Sequence, residues 1–220
     1  MTVNGEVASL GCTVDPDQDA VALDGKQMKP SGALVYVVLN KPSGCLVTRL
    51  DDRGRRTVFE LVQEPRERLF PVGRLDYDTE GVLLLTTDGD LCWRLTHPSY
   101  HVEKRYDVLV EGVPTADALN RLREGVHLED GVTASAKVRV KAILNGDALL
   151  DLRIHEGRKR QVKRMCAAVG HPVRRLRRRA FAGITVDGLR PGQWRYLRTS
   201  EVDALHRRVG LQARSLIVNS

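Results

Sequence analysis

The sequence has no apolar stretch long enough to cross a membrane, and its N-terminus lacks the hydrophobic segment that directs secretion. We therefore expect a cytoplasmic protein without a membrane partner. Aromatic residues make up only 5% of the 220 residues, which predicts a core built mainly from Val, Leu, Ile and Ala. The apolar share of 42% and the charged share of 29% are typical of a globular protein.

Cysteine and histidine are too scattered to indicate disulfides or a metal site. The four cysteines lie far apart and form no C-x-x-C pair, so we expect reduced thiols. His97 and His101 are four residues apart, but Pro98 breaks the helix that would align them as ligands. No metal site is predicted.

Positive charge is abundant and unevenly distributed. The net charge of +7 and the pI near 9.5 suggest a polyanionic partner, although many basic proteins bind none. Residues 1–30 carry a net charge of −3, whereas Arg153 to Arg179 contain eleven Lys or Arg residues and a single acid, Glu156. This density is hard to explain as a merely solvated surface and strengthens the case for a polyanionic partner.

Local patterns predict a mixture of strands and helices in which antiparallel hairpins are prominent, so the fold class is α+β. Asn145-Gly146 between two alternating segments is the strongest hairpin signal. Thr115 before "ADALNRLRE" predicts a helix N-cap, and Ser200 predicts a cap for the last helix. The apolar run from Val82 to Leu85 has the length of a central strand.

Three acids stand on alternate positions in "GRLDYDTEGVLLL", directly before this apolar run. Asp76 and Asp78 are either turn formers, as most loop aspartates are, or one of them is a reactive carboxylate. A third interpretation is calcium, because Asp76-x-Asp78-x-Glu80-Gly81 copies the first half of an EF-hand loop. That interpretation fails, because Thr87 stands where the loop needs a bidentate Glu. Spacing alone leaves the first two interpretations open.

The order of four motifs resembles that of a known family. "GRLDYDTEGVLLLTTDGDL", "HPSYHVEKRYDV", "EGRKRQVKRMCAAVGHPVRRLRR" and "LRPGQWRYL" resemble the RsuA-like family of bacterial ribosomal RNA pseudouridine synthases, from about Leu39 to Val202. The resemblance implies a mixed, largely antiparallel sheet with flanking helices and an RNA-binding basic cleft. It also implies an isomerisation of uridine to pseudouridine that needs no cofactor or metal.

The resemblance also assigns catalytic residues. The aspartate of the "GRLD" motif falls on Asp76, and the aromatic residue of the "K-x-Y" motif falls on Tyr106, whose face suits a splayed-out uracil. The basic residue after "RQV" falls on Lys163, which would keep Asp76 charged and oriented. Whether Asp76 attacks C1′ or removes the C2′ proton stays open. Without the resemblance, Tyr106 could be strand packing and Lys163 a solvated lysine.

The expected partner is ribosomal RNA or a precursor of a ribosomal subunit, bound by a monomer. The form "GRLDYDTEG" favours 23S RNA as the target. The alternative function is a catalytically idle RNA-binding or ribosome-assembly protein on the same scaffold. Arg74 either contacts RNA or braces the Asp76 loop. The other residues expected to bind RNA, mainly through phosphates, are Lys104, Arg105, Arg158, Lys159, Arg160, Arg164, Arg174, Arg175, Arg177 and Arg178.

The chain is expected to contain a partial S4-like RNA-binding segment (1–30), a catalytic domain (31–208) and a C-terminal tail (209–220). "VNGEVASLG" and "VALDGK" resemble the second half of an S4 domain, whose two preceding helices are missing. A late start codon, a shortened sequence or a genuine loss would each explain this. The segment is too short for a core of its own, and a linker is expected at Pro30-Ser31-Gly32.

Overall fold

The described residues group into two compact units, one within residues 1–33 and one from Leu34 onward. The predicted linker at Pro30-Ser31-Gly32 and most of the predicted tail fall outside the described residues. None of the described helices is both long enough and apolar enough to span a membrane. The computed structural model describes residues 1–12, 14–15, 18–28, 34–62 and 69–212.

The N-terminal unit is a small antiparallel sheet. Its hairpins turn at Asn4-Gly5 and Asp24-Gly25, where the backbone takes the positive φ angles that such turns require. None of its described residues is buried, which agrees with the expectation that the segment has no core of its own. The strands are β1 (Thr2–Val3), β2 (Glu6–Val7), β3 (Val21–Leu23) and β4 (Lys26–Met28), in the spatial order β2-β1-β3-β4.

The main unit is built on a nine-stranded sheet, with a separate two-stranded hairpin and four described helices. In chain order its elements are β5 (Tyr36–Lys41), β6 (Phe70–Pro71), β7 (Glu80–Thr86), α1 (Gly89–Thr96), β8 (Lys104–Val110), α2 (Ala116–Glu124), β9 (His127–Leu128), β10 (Gly131–Val132), β11 (Lys137–Leu144), β12 (Asp147–Ile154), α3 (Gln161–Ala168), β13 (Val173–Phe181), β14 (Ile184–Thr185), β15 (Trp194–Tyr196) and α4 (Thr199–Arg208).

The large sheet is mixed but mostly antiparallel, as predicted. Its path runs β11-β12-β8-β13-β7-β5-β15, with β14 paired to β13 and β6 paired to β7. Strands β7 and β13 run parallel, whereas the other pairs of this sheet are antiparallel. The hairpin predicted at Asn145-Gly146 joins β11 to β12. The α+β class is therefore confirmed.

Strand β7 lies at the centre of the core, which explains its unbroken apolar sequence. Val82 and Leu84 belong to the cluster that packs under α1 and α4 on one face. Leu83 and Leu85 belong to a second cluster on the opposite face. Because a strand covered on both faces has no solvent side, it needs no polar alternation. The predicted central strand is confirmed.

Local sequence signals predict the start of one helix correctly and the start of another wrongly. Thr115 caps α2 as predicted, because its side chain accepts a hydrogen bond from the Ala118 amide. The prediction that Ser200 caps the last helix is wrong, since α4 begins at Thr199. There the Glu201 carboxylate accepts a hydrogen bond from the Arg198 amide at 2.8 Å, so a carboxylate in the first turn replaces the expected hydroxyl.

Candidate active site

A cavity of about 950 Å³ opens over one face of the large sheet in the main unit. The sheet contributes Lys104 and Tyr106 from β8 and Arg178 from β13. The rest of its wall comes from further strand residues, from α1 and α3, and from loops that include the one carrying the "GRLD" motif. The predicted catalytic aspartate and the predicted base-binding tyrosine therefore line one space, although they lie in different elements.

Asp76 lies in the loop between β6 and β7, partly exposed at the cavity wall. Leu75 before it is buried in the core, and the Asp76 carbonyl closes a turn by accepting the Thr79 amide at 3.1 Å. In the part of the chain that the structure describes, no side chain or amide donates to the Asp76 carboxylate. The loop thus presents an anion that can accept a hydrogen bond from, or react with, a bound molecule.

Lys41, which was not predicted from the sequence, anchors this loop to the sheet. Its side chain is fully buried at the end of β5. Its Nζ donates to the carbonyl oxygens of Pro42 (3.0 Å), Tyr77 (3.2 Å) and Thr79 (2.9 Å). Burial lowers the pKa of Lys41 to about 8, and nearby carboxylates, Asp76 among them, oppose that shift. A lysine inside a buried strand, directly before Pro42, was the signal that could have found it.

Tyr106 is 8% exposed and lies on the cavity side of β8. Since side chains alternate along a strand, Lys104 shares this side and Arg105 faces the other. Arg105 there donates to both oxygens of Asp151, at 2.7 and 3.0 Å. The predicted catalytic Tyr106 and the predicted RNA-binding Lys104 therefore line the cavity, whereas Arg105, also predicted to bind RNA, lies on the opposite face.

The expected contact between Lys163 and Asp76 is wrong. Lys163 on α3 donates to both oxygens of Asp78, at 2.5 and 2.6 Å, and it does not line the cavity. Burial raises the pKa of Asp78, but the hydrogen bonds from Lys163 outweigh that effect and hold it below its usual value. The two acids stand on opposite sides of Tyr77 in the loop, and the second of them, rather than the first, is close to α3.

Several of the expected RNA-binding residues are held by carboxylates or carbonyls of the protein itself. Arg158 donates to the carbonyls of Gly131 (3.0 Å) and Val132 (2.7 Å), which ties it to the β9–β10 hairpin. Other guanidinium groups form ion pairs that link separate elements. These pairs are Arg164 with Asp130 (2.8 Å), Arg174 with Asp147 (2.8 Å) and Arg175 with Glu80 (2.8 Å).

Other cations have no such partner within the described ranges. Arg74, Lys159 and Arg160 are exposed at the cavity wall. Arg177 is partly exposed and does not line the cavity. Arg74, Lys159 and Arg160 therefore form an exposed rim of the cavity that is free to bind a ligand. The arginines of the preceding paragraph are instead held by acceptors of the protein itself. Among the residues described, no three His, Cys, Asp or Glu side chains cluster as metal ligands.

Comparisons with known proteins agree on one family. The model of that family, described as RNA pseudouridylate synthase, matches residues 35–168. An uncharacterized RNA pseudouridine synthase of Aquifex aeolicus (strain VF5) is 46% identical over 96% of this chain and 85% of its own length. Ribosomal large subunit pseudouridine synthase B of Bacillus subtilis (strain 168) is 39% identical over 92% of this chain and 84% of its own length. A pseudouridylate synthase of known crystal structure superimposes with a TM-score of 0.74 at 33% identity, over 93% of this chain and 87% of its own.

Proposed function

Because this chain belongs to the RNA pseudouridylate synthase family, we propose that it isomerises a specific uridine of ribosomal RNA, with Asp76 as the reacting carboxylate. The observation that carries this proposal is the shared cavity of Asp76 and Tyr106. Synthases of this kind are isomerases, so the reaction consumes no second substrate. The proposed target lies in 23S RNA, an assignment supported by the name of the Bacillus subtilis relative.

The cavity fits a nucleoside that has left its stack. A volume of about 950 Å³ is ample for one nucleotide with its neighbouring phosphates. Uracil would pack on Tyr106, which is buried enough to offer a fixed apolar face. Its ribose would then lie towards the Asp76 loop, within reach of the carboxylate.

The proposed chemistry needs an ionised carboxylate that can reach the ribose. Breaking the bond between N1 and C1′ builds positive charge on C1′. The Asp76 carboxylate either bonds to C1′ or takes the C2′ proton. Either route is open to this carboxylate, since no described side chain or amide occupies its oxygens.

Lys163 acts on Asp76 indirectly in this proposal. Its ion pair with Asp78 ties the loop to α3, two residues beyond Asp76. Lys41 fixes the same loop from the sheet side. The two lysines are therefore positioning residues, and the RNA backbone would be bound by the exposed rim cations Arg74, Lys159 and Arg160. The S4-like character of the first 30 residues stays a prediction, because the family match begins at residue 35.

The decisive experiment maps pseudouridine in ribosomal RNA from cells with and without this gene, and then from cells that carry Asp76→Asn. We expect one pseudouridine to disappear without the gene and to stay absent with Asp76→Asn, while the purified variant still binds the RNA. Asp117→Asn, an exposed carboxylate in α2, is the matched control and should restore the modification. Turnover by Asp76→Asn would refute the assignment, and an unchanged map would favour the idle RNA-binding scaffold.

A further inference from the structure

Arg178 is a buried cation with unused hydrogen-bonding capacity. It is 3% exposed on β13 and lines the cavity. Its Nε donates to the Val82 carbonyl at 2.8 Å, while its buried Nη2 has no partner among the residues that the structure describes. Buried guanidinium nitrogens are rarely left without an acceptor, because desolvation then goes uncompensated. The cavity is where an acceptor can come from.

A second cation lies next to it. The Lys104 Nζ is 5.6 Å and the Arg178 Cζ is 4.9 Å from the centre of the same Phe181 ring. Burial lowers the pKa of Lys104 to about 8, and the charge of Arg178 adds to this shift. The Lys104 Nζ donates to the carbonyls of Val102 (2.9 Å) and His155 (3.4 Å), and the Glu156 carboxylate opposes the fall in its pKa. The two neighbouring cations still repel each other, so this arrangement favours a ligand that carries negative charge.

The pairing of two strands positions Arg178 and Lys104 relative to Tyr106. Strands β8 and β13 pair so that Arg178 lies opposite Tyr106 and Phe181 lies opposite Lys104. Residues directly opposite in an antiparallel pair share one face of the sheet. The two cations therefore flank the surface on which uracil would pack.

We propose that Arg178 and Lys104 bind the keto oxygens of the target uracil and stabilise the uracil anion after it leaves C1′. This inference rests on the proposed function. It identifies the residues of the same cavity that stabilise the base when it leaves with the bonding electrons. When the bond between N1 and C1′ breaks, both electrons go to the base and spread over N1, O2 and O4. The base then turns and C5 bonds to C1′ with an electron pair of the base, while the Asp76 carboxylate either leaves C1′ with its bonding pair or returns the proton to C2′. The C5 proton leaves to water, and N1 takes up a proton.

A phosphate is the other anion that this pair could bind, and the structure favours the base. Arg178 lies at the floor of the cavity on the sheet, whereas exposed cations suited to phosphates stand at its rim. A planar guanidinium beside an aromatic ring also matches the flat edge of a pyrimidine. A phosphate would need to reach the floor that the base itself is expected to occupy.

The test compares Lys104→Met and Arg178→Lys with the unmodified protein on RNA fragments that carry either uridine or 5-fluorouridine at the mapped target. Single-turnover cleavage of the N1–C1′ bond is measured at saturating enzyme. The fluorinated base forms a more stable anion and so depends less on protein cations. We expect Lys104→Met to slow cleavage of the uridine RNA about 100-fold, with a clearly smaller loss for the fluorinated RNA.

Equal losses on both RNAs would overturn the inference. An intact rate at saturation, with weaker binding and a salt slope lower by about one, would assign the pair to a phosphate and also overturn it. Arg178→Lys keeps the charge at the buried position, so it decides the matter if a neutral variant does not fold. A failure of the proposed function differs from both results, because the unmodified protein would then cleave neither RNA.

Discussion

Replacing Lys41 by Met tests whether one buried ammonium holds the reactive loop. Hydrogen bonds from a charged donor contribute about 1.5–3 kcal/mol each, but burying the ammonium costs several kcal/mol in return. The Tyr77 carbonyl keeps the amides of Gly44 (2.9 Å) and Cys45 (3.3 Å) as donors. The loss therefore falls on the Pro42 and Thr79 carbonyls, and we expect the free energy of unfolding to drop by about 2–4 kcal/mol.

The same variant should also lose turnover. A displacement of about 1 Å at the reacting group lowers a rate about 100-fold, and Lys41 supplies two hydrogen bonds to the loop that carries Asp76. RNA affinity should stay nearly constant, because Lys41 is buried. Denaturant unfolding and single-turnover isomerisation measure the two effects. Lys137→Met, at an exposed lysine of β11, is the control and should change neither.

The pH dependence of this difference provides a second test. The folded protein lowers the pKa of Lys41 from its ordinary value of 10.5 to about 8. Between these values the unfolded chain binds more protons, so the stability of the unmodified protein relative to Lys41→Met rises with pH. The slope is at most about 1.4 kcal/mol per pH unit. A flat or falling difference, or full turnover in the variant, would refute the reasoning.

Three further predictions concern the same site. Gly81→Ala should destabilise the protein by more than about 3 kcal/mol in denaturant unfolding, because its Cβ would lie 2.1 Å from a β13 carbonyl at a φ of +104°; a loss below 1 kcal/mol would contradict this. Asp78→Asn should slow isomerisation about tenfold by releasing Lys163, yet lower stability by less than about 1 kcal/mol, since the pair is partly exposed; an unchanged rate would count against it. Arg74→Ala with Arg160→Ala should lower the salt slope of RNA binding by about two, and an unchanged slope would place the RNA backbone elsewhere.

The elements that could be predicted from sequence are those set by neighbouring residues. The Asn145-Gly146 hairpin and the Thr115 cap depend on chemistry within four residues, and both occur as expected. The central strand followed from a run of apolar residues flanked by turn signals. Ser200 failed because two residues in the same helical turn could satisfy the first amides, and Glu201 does so.

The contacts that could not be predicted join distant segments. Arg158 and Arg164 look like free phosphate ligands in the sequence, yet both reach the loop at Asp130, 28 and 34 residues away. Lys41 looks like a turn residue, yet it binds carbonyls 36 and 38 residues further on. Nothing in the local sequence encodes which acceptor a long cationic side chain will find, because the fold brings these acceptors within reach.

The three alternating acids can now be explained by their partners. In a chain with a net charge of +7, an exposed carboxylate readily attracts a cation. Asp78 binds Lys163 and Glu80 binds Arg175, so these two cations are already occupied. The Asp76 carboxylate, which lines the cavity, is left without such a partner in the described structure. On this reasoning the two neighbouring acids keep Lys163 and Arg175 away from the Asp76 carboxylate, which leaves it free for the reaction proposed above.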